Sequence, residues 1–160
     1  MSPKKQNARV CILLGSESDL PVIEKMKPLL ERFGLSYRID VASAHRMPAK
    51  LGRVVKTAEK EGVEVFVACA GMAAHLPGVV ASMTGKPVMG VPVASGPMAG
   101  VDALLSIVQM PPGVPVATVA IGSAGARNAA CLAARIVALK DPKVADAVED
   151  YRKELARGGR

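Results

Sequence analysis

A short, nearly unbroken apolar run that ends at a loop of glycine, alanine or serine recurs along this chain, with helix-patterned segments between the runs. That alternation constrains the fold more than any other feature, because a continuous apolar run bounded by turn residues is the mark of a strand covered on both faces. The first run is Val10 to Leu14, VCILL, closed by Gly15. GSESDLP then leads into one predicted helix, whose apolar positions Val22, Ile23, Met26, Leu29, Leu30 and Phe33 share a face and which Gly34 ends. Leu35 to Ala42 reads as a second strand, SAHRMP as a loop, and Pro48 to Glu61 as a helix with Leu51, Val54, Val55 and Ala58 inward. Val63 to Ala70 is the third strand and runs into AGMAAHLPG.

The second half repeats the pattern. Pro87 to Val93 is a short strand in which Pro92 limits pairing. ASGPMAG forms a third glycine-rich loop before a helix carrying Val101, Leu104, Leu105 and Val108 on one face. Gln109 to Pro115, with three prolines and a glycine, is irregular, and Val116 to Ile121 is the fifth strand. Gly122 to Gly125 open a long helix from Arg127 to Leu139, so uniformly small and apolar that burial on more than one side, at a subunit interface, is expected. Lys143 to Leu155 completes the order as an amphipathic helix. The alternation predicts an α/β, flavodoxin-like three-layer fold: a five-stranded parallel sheet with helices on both faces, in a single domain with a loose arm over Met1 to Ala8.

Composition narrows the function. Half the residues are apolar, yet there are no tryptophans, two phenylalanines and two tyrosines, so the core is built from small and branched side chains. That much apolar surface on a small domain points to subunit contacts. The formal charge of +7 gathers in part at the ends, in Lys4, Lys5 and Arg9 and in Arg152, Lys153, Arg157 and Arg160, which reads as solvated termini rather than a nucleic-acid surface. No aromatic residues interleave with the basic ones to stack bases. Cys11, Cys69 and Cys131 are odd in number and lie in apolar runs without a metal-ligand spacing, the pattern of reduced, buried thiols. No run of 18 apolar residues occurs, and a protein without membrane contact, working in the cytoplasm, is expected.

In such a sheet the loops leaving the carboxyl ends of the strands share a crevice. They would bring together Ser16, Ser18, Asp19, Ser43, His45, Arg46 and His75, the two histidines being the only ones in the chain. Ser18 or Asp19 serves equally well as a helix cap or as a ligand group at this stage. Arg46 with the serine hydroxyls suits a phosphate, Asp19 a ribose diol, and His45 proton exchange near neutral pH. The glycine-rich loops match neither the dinucleotide nor the Walker fingerprint, and the sequence offers no metal-ligand pattern. Proton-transfer chemistry on a sugar phosphate, without a bound cofactor, is what the loops suit.

GSESD at 15–19, SAHRMP at 43–48, AGMAAHLPG at 70–78, the stretch 95–122 and GARNAACLAARI at 125–136 closely resemble the N5-carboxyaminoimidazole ribonucleotide mutases of purine biosynthesis, from about Val10 to Asp141. The resemblance implies a homo-octamer of flavodoxin-like subunits acting on a nucleotide, with neither ATP nor metal. It implies His45 as general acid/base, and Ser16, Asp19 and Arg46 as nucleotide-binding, with Ser18 and Ser43 at the phosphate. Gly71, Ala73, Ala74, His75 and Leu76 match the loop that closes over the imidazole and the migrating carboxylate. Met72 departs from the pattern, standing where a second glycine is common, and Met98 stands where leucine is usual. Two rivals remain: a direct aminoimidazole ribonucleotide carboxylase, a class that tends to carry lysine after the first histidine and to lack the second, and a non-catalytic sugar-phosphate-binding module on the same fold.

Overall fold

The computed structural model describes residues 7–159. Strands β1 (Val10–Leu14), β2 (Tyr37–Val41), β3 (Val65–Gly71), β4 (Val88–Val93) and β5 (Ala117–Thr118) form one sheet in the order β2-β1-β3-β4-β5, every pair parallel. Helices α1 (Leu20–Ile23), α2 (Lys27–Arg32), α6 (Gly122–Ala138) and α7 (Pro142–Ala156) cover one face. Helices α3 (Pro48–Lys60), α4 (Leu76–Met83) and α5 (Val101–Val108) cover the other. The alternation of side chains along a strand is visible in the two cores: Val10, Ile12 and Leu14 face the first, Cys11 and Leu13 the second. The flavodoxin-like arrangement expected from the apolar runs is therefore the one observed.

Several boundaries differ from expectation, each for a physical reason. The helix expected across Val22 to Phe33 is broken into α1 and α2 after a 3-10 turn at Glu17–Asp19. Pro28 has no N–H for the carbonyl of Glu24 and its ring collides with that carbonyl, so an unbroken helix cannot pass. β5 is two residues long instead of six. Gly90 accepts a hydrogen bond from the Val119 N–H at 3.1 Å, but the next β4 position on that side is Pro92, which has no N–H to donate, and the ladder stops. α4 is a helix that the loop-like AGMAAHLPG does not predict; Pro77 in its first turn is the available signal, masked by Gly78.

α6 begins at Gly122, so the residues expected to open it form its first turn. Ala126, Ala129, Ala130, Ala133, Ala134 and Val137 are buried on one stripe, while Arg127, Asn128 and Arg135 are exposed. Within the chain it is thus covered on one side, not several. The arm expected over Met1 to Ala8 lies outside the described residues apart from Asn7 and Ala8, and the Asn7 carbonyl accepts from the Ser36 hydroxyl at 2.8 Å. Cys11 and Cys69 are buried as expected, whereas Cys131 is half-buried.

β1 enters the sheet under electrostatic restraint. The Arg9 guanidinium bridges Glu64 and Asp141, each at 2.6 Å, and Asp141 also caps α7 by accepting from the Lys143 and Val144 N–H groups. No described helix is long and apolar enough to cross a membrane.

Gly90 packs tightly against the second core. A Cβ there would lie 2.3 Å from Ile107 Cγ2, 3.0 Å from Val116 Cγ1 and 3.2 Å from Pro77 Cβ. Gly90→Ala is expected to destabilise the fold by about 1–3 kcal/mol, the usual cost of overpacking. The check is a lowered midpoint of denaturant unfolding at unchanged slope.

Candidate active site

The register sets the site. Leu14, Val41 and Cys69 are level across β2, β1 and β3, so the loops that follow leave the sheet from one edge. Because β1 lies between β2 and β3, the connections after β1 and β3 turn to opposite faces of the sheet and leave a crevice between them. A cavity of about 480 Å³ occupies that crevice. It is lined by Gly15, Ser16, Ser18 and Asp19 after β1, Ser43, Ala44, His45 and Arg46 after β2, Ala70 to Ala73 and Leu76 from the β3 side, and Ser95 after β4.

Each polar residue is held by its own loop. Ser16 caps the 3-10 turn: its Oγ accepts from the Ser18 N–H at 3.4 Å, and Asp19 Oδ2 accepts from the Ser16 N–H at 3.1 Å. The Ser18 hydroxyl donates to Ser16 Oγ at 3.0 Å. Capping and lining the cavity therefore coexist in the same residues. Ser43 Oγ accepts from the Arg46 N–H at 3.2 Å and the Ser43 carbonyl from the Met47 N–H at 2.9 Å, a tight turn that presents His45 and Arg46 just before α3. Arg46 Nη2 reaches the Gly15 carbonyl at 3.5 Å, tying the first two loops together. Among the described residues it is the one Lys or Arg side chain on the cavity wall.

His75 lies just before α4 and does not line the cavity, but its Nδ1 is 2.8 Å from His45 Nε2, with the rings edge-on at 89°. A contact between two ring nitrogens needs one proton. If His45 Nε2 carries it, a neutral His45 has a bare Nδ1 that can accept a proton; if His75 Nδ1 carries it, the neutral His45 has an Nδ1–H that can donate. The pair is chemically able to act as either base or acid. Ala74 is fully buried in the second core and shapes the loop rather than meeting the cavity.

Ser95 was not singled out from sequence. It lines the cavity beside Gly71, where a Cβ would lie 1.8 Å from Ser95 Oγ, so only glycine admits that hydroxyl. A signal existed: Ser16, Ser43 and Ser95 each stand two residues beyond the end of a strand. Among the described residues, no three His, Cys, Asp or Glu side chains group as a metal site. Burial pushes the Cys11 thiol up to about 12 and raises Cys69 further, leaving both inert.

A family model described as AIR carboxylase matches residues 9–158. The chain belongs to that family. It is 52% identical over 149 residues to the N5-carboxyaminoimidazole ribonucleotide mutase of Thermotoga maritima, covering 93% of this chain and 86% of that one. It is 48% identical over 153 residues to the protein of the same name from Escherichia coli K12, covering 96% and 90%. The crystal structure of Treponema denticola PurE superposes with a TM-score of 0.85 at 33% identity, over 93% of this chain and 92% of that one.

Asp19 is 5% exposed, and burial raises its carboxyl above the ordinary value, with the Ser16 N–H opposing in part. A raised folded-state value means that folding favours the protonated form, so the stability it contributes is present below the unfolded value and is lost as pH rises through the folded one. Asp19→Asn is therefore expected to melt higher than the wild type at pH 7, with the gap narrowing at pH 4. Paired thermal melts check the sign.

Proposed function

We propose that the chain is an N5-carboxyaminoimidazole ribonucleotide mutase of purine biosynthesis, acting as a single domain. It converts the N5-carboxylated nucleotide to 4-carboxy-5-aminoimidazole ribonucleotide. The observation that carries the reading is the meeting of His45, backed by His75, with Arg46 and four serines in one cavity of a chain whose relatives bear that name.

Arg46 with the Ser16, Ser18 and Ser43 hydroxyls grips the phosphate, and Asp19 holds the ribose diol. Gly71, Ala73 and Leu76 form an apolar wall toward the base, with Ala74 packed behind them and Ser95 adding a hydroxyl. The N–C bond to the carboxylate breaks with its electron pair going to nitrogen, which takes a proton from His45, and neutral carbon dioxide is released. Carbon 4 of the ring supplies the pair for the new C–C bond. The proton on carbon 4 then returns to His45, the ring recovers its aromaticity, and the enzyme is restored. Water kept from the apolar side favours carbon dioxide over solvated carboxylate.

The decisive assay supplies the N5-carboxylated nucleotide without ATP or bicarbonate. Appearance of the C4-carboxylated product supports the mutase reading; product only from uncarboxylated nucleotide with bicarbonate establishes the direct carboxylase instead. His45→Asn is expected to bind nucleotide with little change and to lose turnover by ~10²–10⁴-fold, the usual worth of acid/base help. Binding without turnover in the wild type would identify a non-catalytic module.

The working form is a homo-oligomer, an octamer by family resemblance, in the cytoplasm. Met98, Val101, Leu105 and Val108 are each about half exposed on and beside α5, an apolar surface that a second copy would cover. Light scattering is expected to give eight times the 16.6 kDa chain mass. A 16.6 kDa particle rules the assembly out.

A further inference from the structure

From β3, β4 and the loops after them the cavity is lined by alanine and glycine with three exceptions, Leu76, Met72 and Ser95. Leu76 is 2% exposed and anchored in the second core, whereas Met72 lines the cavity and is 56% exposed. Its backbone sits at φ +54°, in the left-handed region where a side chain is unfavourable and glycine is at ease. A Cβ built on Gly96 would come within 3.4 Å of Met72 Cγ, so this side chain crosses from the loop after β3 to the loop after β4. An unbranched thioether with three rotatable bonds thus bridges the two loops beside the cavity, at a position whose backbone suits a residue with no side chain.

We propose that Met72 is the partition-determining residue of the site, its side chain closing the mouth between the loops after β3 and β4 so that released carbon dioxide recombines instead of escaping. The inference rests on the mutase reading, since only there must neutral carbon dioxide wait inside the cavity between breakage of the N–C bond and formation of the C–C bond. Carbon dioxide makes no strong hydrogen bonds, so no polar group on the wall holds it. Its retention is a matter of how completely apolar atoms fill the exit. Ala70, Gly71 and Ala73 are too short to reach across, and Met72 spans the gap to Gly96.

The test compares the wild type with Met72→Ala, which removes the covering side chain, and Met72→Leu, which retains an apolar one of similar volume. Each is given the N5-carboxylated nucleotide in buffer containing carbon-13 bicarbonate and carbonic anhydrase, and a no-enzyme blank is subtracted. Mass spectrometry reads the labelled fraction of the C4-carboxylated product and the amount of uncarboxylated nucleotide. The expected result is a several-fold rise of both in M72A, with M72L within about twofold of the wild type and all three melting at similar temperatures. Equal labelling in wild type and M72A, or M72L leaking as much as M72A, overturns the inference while leaving the mutase reading intact. A wild type that makes no product from this substrate overturns the reading, and the inference with it.

Discussion

Parallel pairing of β1 with neighbours on both sides is the constraint from which the rest of the molecule follows. A parallel ladder needs a crossover between its strands, and crossovers place helices over the faces, so the central strands must be apolar on both sides. Val10 to Leu14 meet that demand with no residue exposed, and β3 and β4 do the same along nearly their whole length. The same pairing levels the strand ends, and the branching of the chain to either side of β1 opens the crevice there. The site is therefore a by-product of how the core is closed.

Within that crevice the division of labour is spatial. Hydroxyls, one arginine and one carboxyl come from the loops after β1 and β2, and small apolar residues come from the loop after β3. On the proposed reading the polar side would recognise what every nucleotide of this class shares, a phosphate and a sugar. The apolar side, with the paired imidazoles at the junction, offers little to bind and much to exclude, which suits a step in which charge on a carboxylate is lost and regained. Asp19 sits between the two regimes: it is buried enough to disfavour its charge and is still held by a backbone N–H.

Reading the chain from its residues reached the layers of the fold and most of the cavity wall, because apolar runs and loop composition are local properties. Where it failed, the deciding contact was distant or was hidden by a competing signal. Pro28 was outweighed by the apolar spacing from Val22 to Phe33, although the missing N–H mattered more than the periodicity. The shortness of β5 depended on which side of β4 Pro92 faces, a matter of register. Ser95 enters the cavity only because Gly71, on a different strand, leaves room for it.

Sequence alone determined the alternation of strand and helix, the double-sided burial of the central strands, and the residue types available at the strand ends, since each depends on patterns within a few residues. It also carried the two histidines and the family likeness. Only the tertiary structure decided that His75 lies against His45 rather than against the cavity, that Ala74 turns into the core, and that Met72 reaches across to Gly96. These are contacts between loops far apart in the chain, and their geometry follows from strand register and crossover direction, which no local run of residues encodes.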